Sequence, residues 1–298
     1  MTTASAPGKL VLCGEYAVLE GHAAVVAAVD VRARAAIAAA PSAPLVAAVC
    51  AAARSRGLVV PAAIAVDTAA FSAGGRKLGL GSSAAAAVAA AGLIVHGARG
   101  ALDAGTRELT WQIARDAHRA FQGGGSGIDV AAACYGGLLR FSTAEQPTAA
   151  PPLPGALELL VVDTLSSTST QGFVDRVLAL PDRDRRLAPL AHAALAFMDA
   201  CAADDADALL AAVEQACSGM GELGAAAGVD VVSAAHARIA TLASAHGGAA
   251  KPSGAGGGDV AVAFVPRERR AALASTLAQA GLPVLPLHVD ERGVMIED

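Results

Sequence analysis

The sequence is constrained most by one stretch, Lys77-Leu78-Gly79-Leu80-Gly81-Ser82-Ser83-Ala84, which runs directly into the apolar segment Ala85 to Val95. Two glycines let the backbone approach a ligand closely, and two hydroxyls can serve as caps or ligands. The helix that follows turns its unpaired N–H groups back into the loop. Such a junction attracts phosphate. Two further glycine-rich stretches, Gly123 to Asp129 and Gly254 to Asp259, lie far off in the chain, and Pro7-Gly8-Lys9 sits near its start. The expectation is that folding gathers all four into one place.

The intervening sequence supplies a scaffold for that. Residues 8 to 19 and 23 to 29 are apolar runs either side of a Glu20-Gly21-His22 turn, which reads as a strand pair, with Val31 to Ala39 a third strand. Pro44 to Arg56 reads as a helix and Ala62 to Phe71 as a strand leading to the central loop. Ser83 to Val95 is apolar on every face, as a helix buried on all sides would be. Arg107 to Phe121 carries Leu109, Ile113, Ala117 and Phe121 at helical spacing. A short helix is expected over 130 to 134 and a strand over 137 to 141. Prolines at 147, 151, 152 and 154 mark a boundary, dividing the chain into residues 1–150 and 151–298. Beyond it, strands at 157–163, 260–265 and 284–289 surround a run of helices, the order of an α+β fold.

The hydrophobic share of 54% could suggest a membrane protein, but alanine supplies much of it and the central apolar run is too short to span a bilayer. The chain reads as soluble, without export signal and cytoplasmic. Its five cysteines have no C-x-x-C pairing, which argues against a disulfide framework or zinc. A net charge of -5 and the lack of any basic run make nucleic acid an unsuitable partner. Oligomeric state is left as monomer or homodimer. Of 22 basic residues only Lys9, Lys77 and Lys251 are lysine, and each adjoins a glycine motif. A lysine there suggests a compact point charge on a flexible stem.

Gly79-Leu-Gly81-Ser-Ser-Ala84 fits a dinucleotide fingerprint with Asp103 as its acid, but the segment before Asp103 is loop-like rather than a strand. A Walker A loop is absent, because Gly8-Lys9 is followed by leucine. Any nucleotide must therefore use another class of phosphate loop. Gly123-Gly-Gly-Ser-Gly-Ile-Asp129 sets a carboxylate where a glycine loop meets a helix start. There it could be a base, a partner of a cation, or only a cap. The run Ser166 to Thr170 is a candidate for polar contacts to a substrate, or a solvated loop.

Taken together, Pro7-Gly8-Lys9-Leu-Val-Leu-Cys-Gly14-Glu15, Gly79-Leu-Gly-Ser-Ser-Ala-Ala and Lys251-Pro-Ser-Gly-Ala-Gly-Gly-Gly-Asp resemble the three motifs of the GHMP kinases, in that family's order across nearly the whole chain. This is the superfamily of galactokinase, homoserine, mevalonate and phosphomevalonate kinases. Lys77 before the loop and Gly-Ser-Gly-Ile-Asp-Val-Ala with Cys-Tyr-Gly-Gly are most similar to its phosphomevalonate kinases. Where mevalonate kinases carry a magnesium-binding glutamate, this chain has His118, a departure that leaves open whether His118 merely lies on a helix surface.

The resemblance implies a ribosomal-S5-like N-terminal domain, a ferredoxin-like C-terminal domain, and ATP with Mg2+ in the cleft. It assigns Lys77 and the loop Gly79, Leu80, Gly81, Ser82, Ser83 and Ala84 to the nucleotide, with Ser82 or Ser83 near the metal. Lys9 and Asp129 would be catalytic and flank the transferred group. Tyr16, Gly125, Ser126, Gly127, Ser253, Gly254, Ala255 and Gly256 would join them around the acceptor, a small phosphorylated molecule. Mevalonate, another small alcohol, or binding without turnover are the alternatives.

Overall fold

The computed structural model describes residues 2–39, 41–167 and 170–297. The opening apolar run forms β1 (Thr3–Cys13), antiparallel to a long β2 (Ala24–Ile37). The strand expected to continue to Leu19 stops earlier. Gly14 and Tyr16 both take positive φ, at 94° and 62°, and residues 17–20 coil into a 3-10 turn. Val31 to Ala39 is no separate strand but lies largely within the far half of β2, where β3 (Ile64–Asp67) pairs with it. Between them α1 (Pro44–Arg54) begins on a proline, whose missing N–H costs nothing at a first turn.

A two-stranded hairpin, β4 (Ser72–Ala73) and β5 (Arg76–Lys77), delivers the chain to α2 (Ser82–Arg99). Every residue of α2 from Ala84 to Val95 is buried, as its all-apolar sequence requires. Next comes α3 (Ala104–Gln122), whose first turn is capped by Asp103 accepting from Thr106 N at 3.0 Å. Asp103 is thus a helix cap, which removes the acid a dinucleotide fingerprint would need. The half closes with α4 (Ile128–Tyr135), β6 (Leu138–Phe141) and β7 (Thr148–Ala149).

The remaining elements are β8 (Leu157–Asp163), α5 (Thr170–Leu178), α6 (Arg183–Ala203), α7 (Ala206–Ala227), α8 (Ala234–Ala245), β9 (Ala249–Pro252), β10 (Val260–Pro266), α9 (Arg270–Gln279), β11 (Val284–Leu285) and β12 (Met295–Glu297). Among the described residues the strands make a six-stranded sheet ordered β12-β1-β2-β6-β7 with β3 also on β2, and a four-stranded sheet ordered β11-β8-β10-β9. The fold is α+β, as expected. Its closing strand is not 284–289: only Val284–Leu285 pairs with β8, and the chain runs back to lay β12 antiparallel to β1.

One apolar cluster passes from one sheet region to the other. Leu10, Leu12, Phe71, Leu80 and Ala85 pack in it with Phe197, Val213, Val262 and Phe264. Phe197 and Phe264 meet edge to face at 5.7 Å. This shared core fixes β1 and the central loop against the strand that follows the third glycine motif. No described helix is long and apolar enough to cross a membrane.

Candidate active site

Three of the four glycine stretches converge on Lys9. Its backbone N–H donates to the Leu80 carbonyl at 2.9 Å and its Nζ to the Gly79 carbonyl at 3.1 Å, so β1 runs directly beneath the central loop. Gly8 permits that approach, since a Cβ there would stand 2.9 Å from the Leu80 oxygen and 2.8 Å from Val31. Gly79 and Gly81 both hold left-handed backbone, at φ 69° and 80°. A Cβ on Gly81 would lie 2.9 Å from Lys9 Cγ and 3.8 Å from Asp129 Cβ. Gly81 is also the N-cap of α2 and supplies no side-chain cap, which leaves first-turn N–H groups for a ligand. Ser82 is the first residue of α2, and Ala84 is fully buried behind it.

Asp129 lies in the first turn of α4, whose N-cap is Gly127 at φ 82°. It is therefore not the cap of that helix. Its Oδ1 accepts from Val130 N at 2.9 Å, and its Oδ2 stands 4.0 Å from His118 Nε2. His118 is no surface histidine. It is 3% exposed, and its Nε2 is 3.0 Å from Ser83 Oγ. Ser126 accepts from Ile128 N at 3.4 Å, and a Cβ on Gly125 would meet only Gln122, so this loop is open.

The third motif is welded to the first. Lys251 is fully buried, pairs with Glu15, and donates to its neighbour's Pro252 carbonyl at 2.7 Å. This lysine is spent on structure and is withdrawn from any ligand. Tyr16 Oη donates to the Ala255 carbonyl at 2.5 Å, and Gly257 N to the Val231 carbonyl at 2.9 Å. Gly256 must be glycine, because a Cβ would fall 2.1 Å from the Val231 oxygen. A Cβ on Gly254 would lie 3.6 Å from Lys9 Nζ, which brings this loop to the same ammonium group. Ser253 is 6% exposed and its Oγ is buried without a partner.

Asp259 closes the ring, and sequence reading assigned it no role. A Cβ on Gly79 would strike its carboxylate at 2.4 Å. Burial pushes the Asp259 carboxyl above its ordinary range, while Lys9 and Arg76 pull it back. Burial likewise lowers the Lys9 ammonium from its ordinary value, opposed by Asp129, Asp259 and Glu15. The centre is thus a partly desolvated cation among carboxylates. Lys77 stands apart from it, exposed on β5, whereas neighbouring Arg76 holds both oxygens of Asp163 at 2.6 Å. Of the hydroxyl run at 166–170, Ser166 accepts Asp259 N through its carbonyl at 2.8 Å. Thr168 and Ser169 lie outside the described residues.

Residues 45–137 match the GHMP kinases N terminal domain. Comparison with curated protein sequences found no match. Among solved structures, the Lin0012 protein of Listeria innocua aligns at TM-score 0.89 and 23% identity over 100% of this chain and 99% of its own. Phosphomevalonate kinase of Streptococcus pneumoniae, in complex with phosphomevalonate and AMPPNP, aligns at 0.83 and 19% over 97% and 100%. Mevalonate kinase of Methanococcus jannaschii aligns at 0.74 and 16% over 96% and 98%. At these identities the structural likeness speaks for the fold.

Proposed function

We propose that this chain, which carries the N-terminal domain of the GHMP kinases, transfers the γ-phosphoryl group of ATP to the phosphate of 5-phosphomevalonate, giving 5-diphosphomevalonate and ADP. GHMP kinases are phosphotransferases, and a relative of the same fold binds phosphomevalonate beside a nucleotide analogue. The observation that carries the reading is Lys9. Its ammonium is partly desolvated where the central loop, Asp129 and the third glycine motif meet. Two polyanions brought together there need their repulsion cancelled, and phosphoryl transfer asks chiefly for positioning and charge neutralisation.

The residues fit the ligands. Left-handed Gly79 and Gly81 lead into a start of α2 without a side-chain cap, whose first-turn N–H groups are the donors a phosphate would take. Ser83 and Asp129 are the protein groups that would hold Mg2+, which supplies charge neutralisation on the phosphates when bound. The ion's remaining ligands would be phosphate oxygens and water. We assign nucleotide to the 1–150 half, and the acceptor to the place where Lys9 comes against Gly254, with Ser253, Ala255 and Gly256 beside it.

In the reaction an acceptor phosphate oxygen forms a bond to the γ-phosphorus while the bond from that phosphorus to the β–γ bridging oxygen breaks, and ADP leaves with the electron pair. A phosphate monoester has a second pKa of about 6, so at neutral pH its oxygen carries no proton to remove. Asp129 would therefore orient Lys9 or the metal rather than act as a base. Lys9→Met is expected to lower kcat/KM by about a thousandfold and Asp129→Asn far less, read from ADP release with phosphomevalonate and mevalonate side by side. Loss of about four decades in Asp129→Asn, with turnover of mevalonate, would instead mark a base on an alcohol acceptor.

A further inference from the structure

We propose that His118, assisted by Gln122, is a positioning residue that turns the Ser83 hydroxyl so that it offers a lone pair, not its hydrogen, to a divalent cation in the cleft. This rests on the phosphoryl-transfer reading above and goes beyond it by assigning the hydroxyl's orientation to two side chains on another helix. His118 and Gln122 stand one turn apart at the end of α3, and both reach one atom. His118 Nε2 is 3.0 Å from Ser83 Oγ, and Gln122 Nε2 donates to the same oxygen at 3.2 Å.

A hydroxyl has one hydrogen and two lone pairs. The Gln122 amide nitrogen can only donate, so it takes one lone pair. If the imidazole also donated, both lone pairs would be occupied and the hydroxyl hydrogen would face the cleft, opposing a cation. If the imidazole accepts, the hydrogen turns inward to α3 and one lone pair stays free, on an oxygen made more electron-rich. The Asp129 carboxylate, at 4.0 Å from Nε2, is beyond hydrogen-bond range and does not claim that nitrogen as a donor. With Ser83 and Asp129 as the groups that would hold the cation, the direction of a single lone pair would set how tightly it is held.

The test is calorimetric titration of the full chain with AMPPNP, with magnesium and with EDTA. In the wild type magnesium tightens binding. His118→Leu is expected to remove about tenfold of that tightening while leaving affinity in EDTA within about twofold, since partners of metal ligands act on metal affinity on this scale. Ser83→Ala should show the same loss and the double variant no more than either. His118→Gln, whose Oε1 can accept the same hydrogen, should regain most of it.

Equal weakening with and without magnesium, additive losses in the double variant, or a wild type indifferent to magnesium would overturn the proposal. Should His118→Leu not fold, Ser83→Ala with His118→Gln and Gln122→Leu carries the same comparison. ADP release by the wild type is measured in parallel. No turnover with His118-dependent magnesium coupling would sink the kinase reading alone, and turnover without that coupling would sink this one alone.

Discussion

Ser253 and His236 show how one residue's burial translates into behaviour. The Ser253 hydroxyl is buried and unpartnered, so Ser253→Ala deletes no hydrogen bond. Removing a buried polar atom that has no partner should raise thermal stability, by about 1 kcal/mol. If the hydroxyl meets the acceptor, the acceptor KM should nevertheless rise about tenfold, the value of one hydrogen bond to a charged group. His236 lies behind the same loop with Nδ1 2.9 Å from Ser233 Oγ, and burial pushes its imidazole from 6.5 down to about 4. The unfolded chain therefore takes up a proton below pH 6.5 that the native one refuses. Stability from this group is complete above that pH and falls as the pH drops toward 4, by a total on the order of 3 kcal/mol. Urea unfolding at pH 7 and pH 5 should show the fall, and His236→Gln should flatten it.

At the level of elements, the loop-to-helix unit was readable because its chemistry is local. Glycines at 79 and 81, and apolar residues on all faces from 84 to 95, dictate a tight turn into a buried helix, and the fold has both. Gly79→Ala should cost about 1–3 kcal/mol from left-handed backbone alone. The added methyl would also strike Asp259, and AMPPNP affinity should fall about tenfold or more. Tyr16 to Leu19 misled, because an apolar run reads as strand whether or not the chain turns, and the turn here is imposed by Tyr16 reaching Ala255. The Glu15 and Lys251 pairing was equally hidden, since a buried ion pair joins residues 236 apart in sequence. Lys251→Met takes from buried Glu15 its hydrogen-bonded counter-charge and should destabilise the fold by about 3–5 kcal/mol in chemical denaturation.

For the whole molecule the decisive contact is the return of the tail. Arg32 is buried and paired with Asp290. It also donates from Nη2 to the Gly293 carbonyl at 2.7 Å and from Nε to Ser5 Oγ at 2.9 Å. It thereby ties β1, β2 and the tail into one unit. Gly293 fits because a Cβ there would lie 2.0 Å from the Cys134 oxygen. Asp290→Ala leaves that guanidinium buried and unpaired, and an unfolding free energy lower by about 3–5 kcal/mol is the expected measurement. By itself the sequence determined where phosphate-type loops occur, which helix is buried, and the kinase family they resemble, because backbone freedom and apolar periodicity are properties of neighbouring residues. Only the tertiary structure decided that Lys251 serves Glu15, that His118 faces Ser83, that Asp259 sits on Gly79 and that the last strand joins the first. Each of those depends on which distant groups are desolvated together, and a buried charge or hydroxyl takes whatever partner the closed chain brings to it.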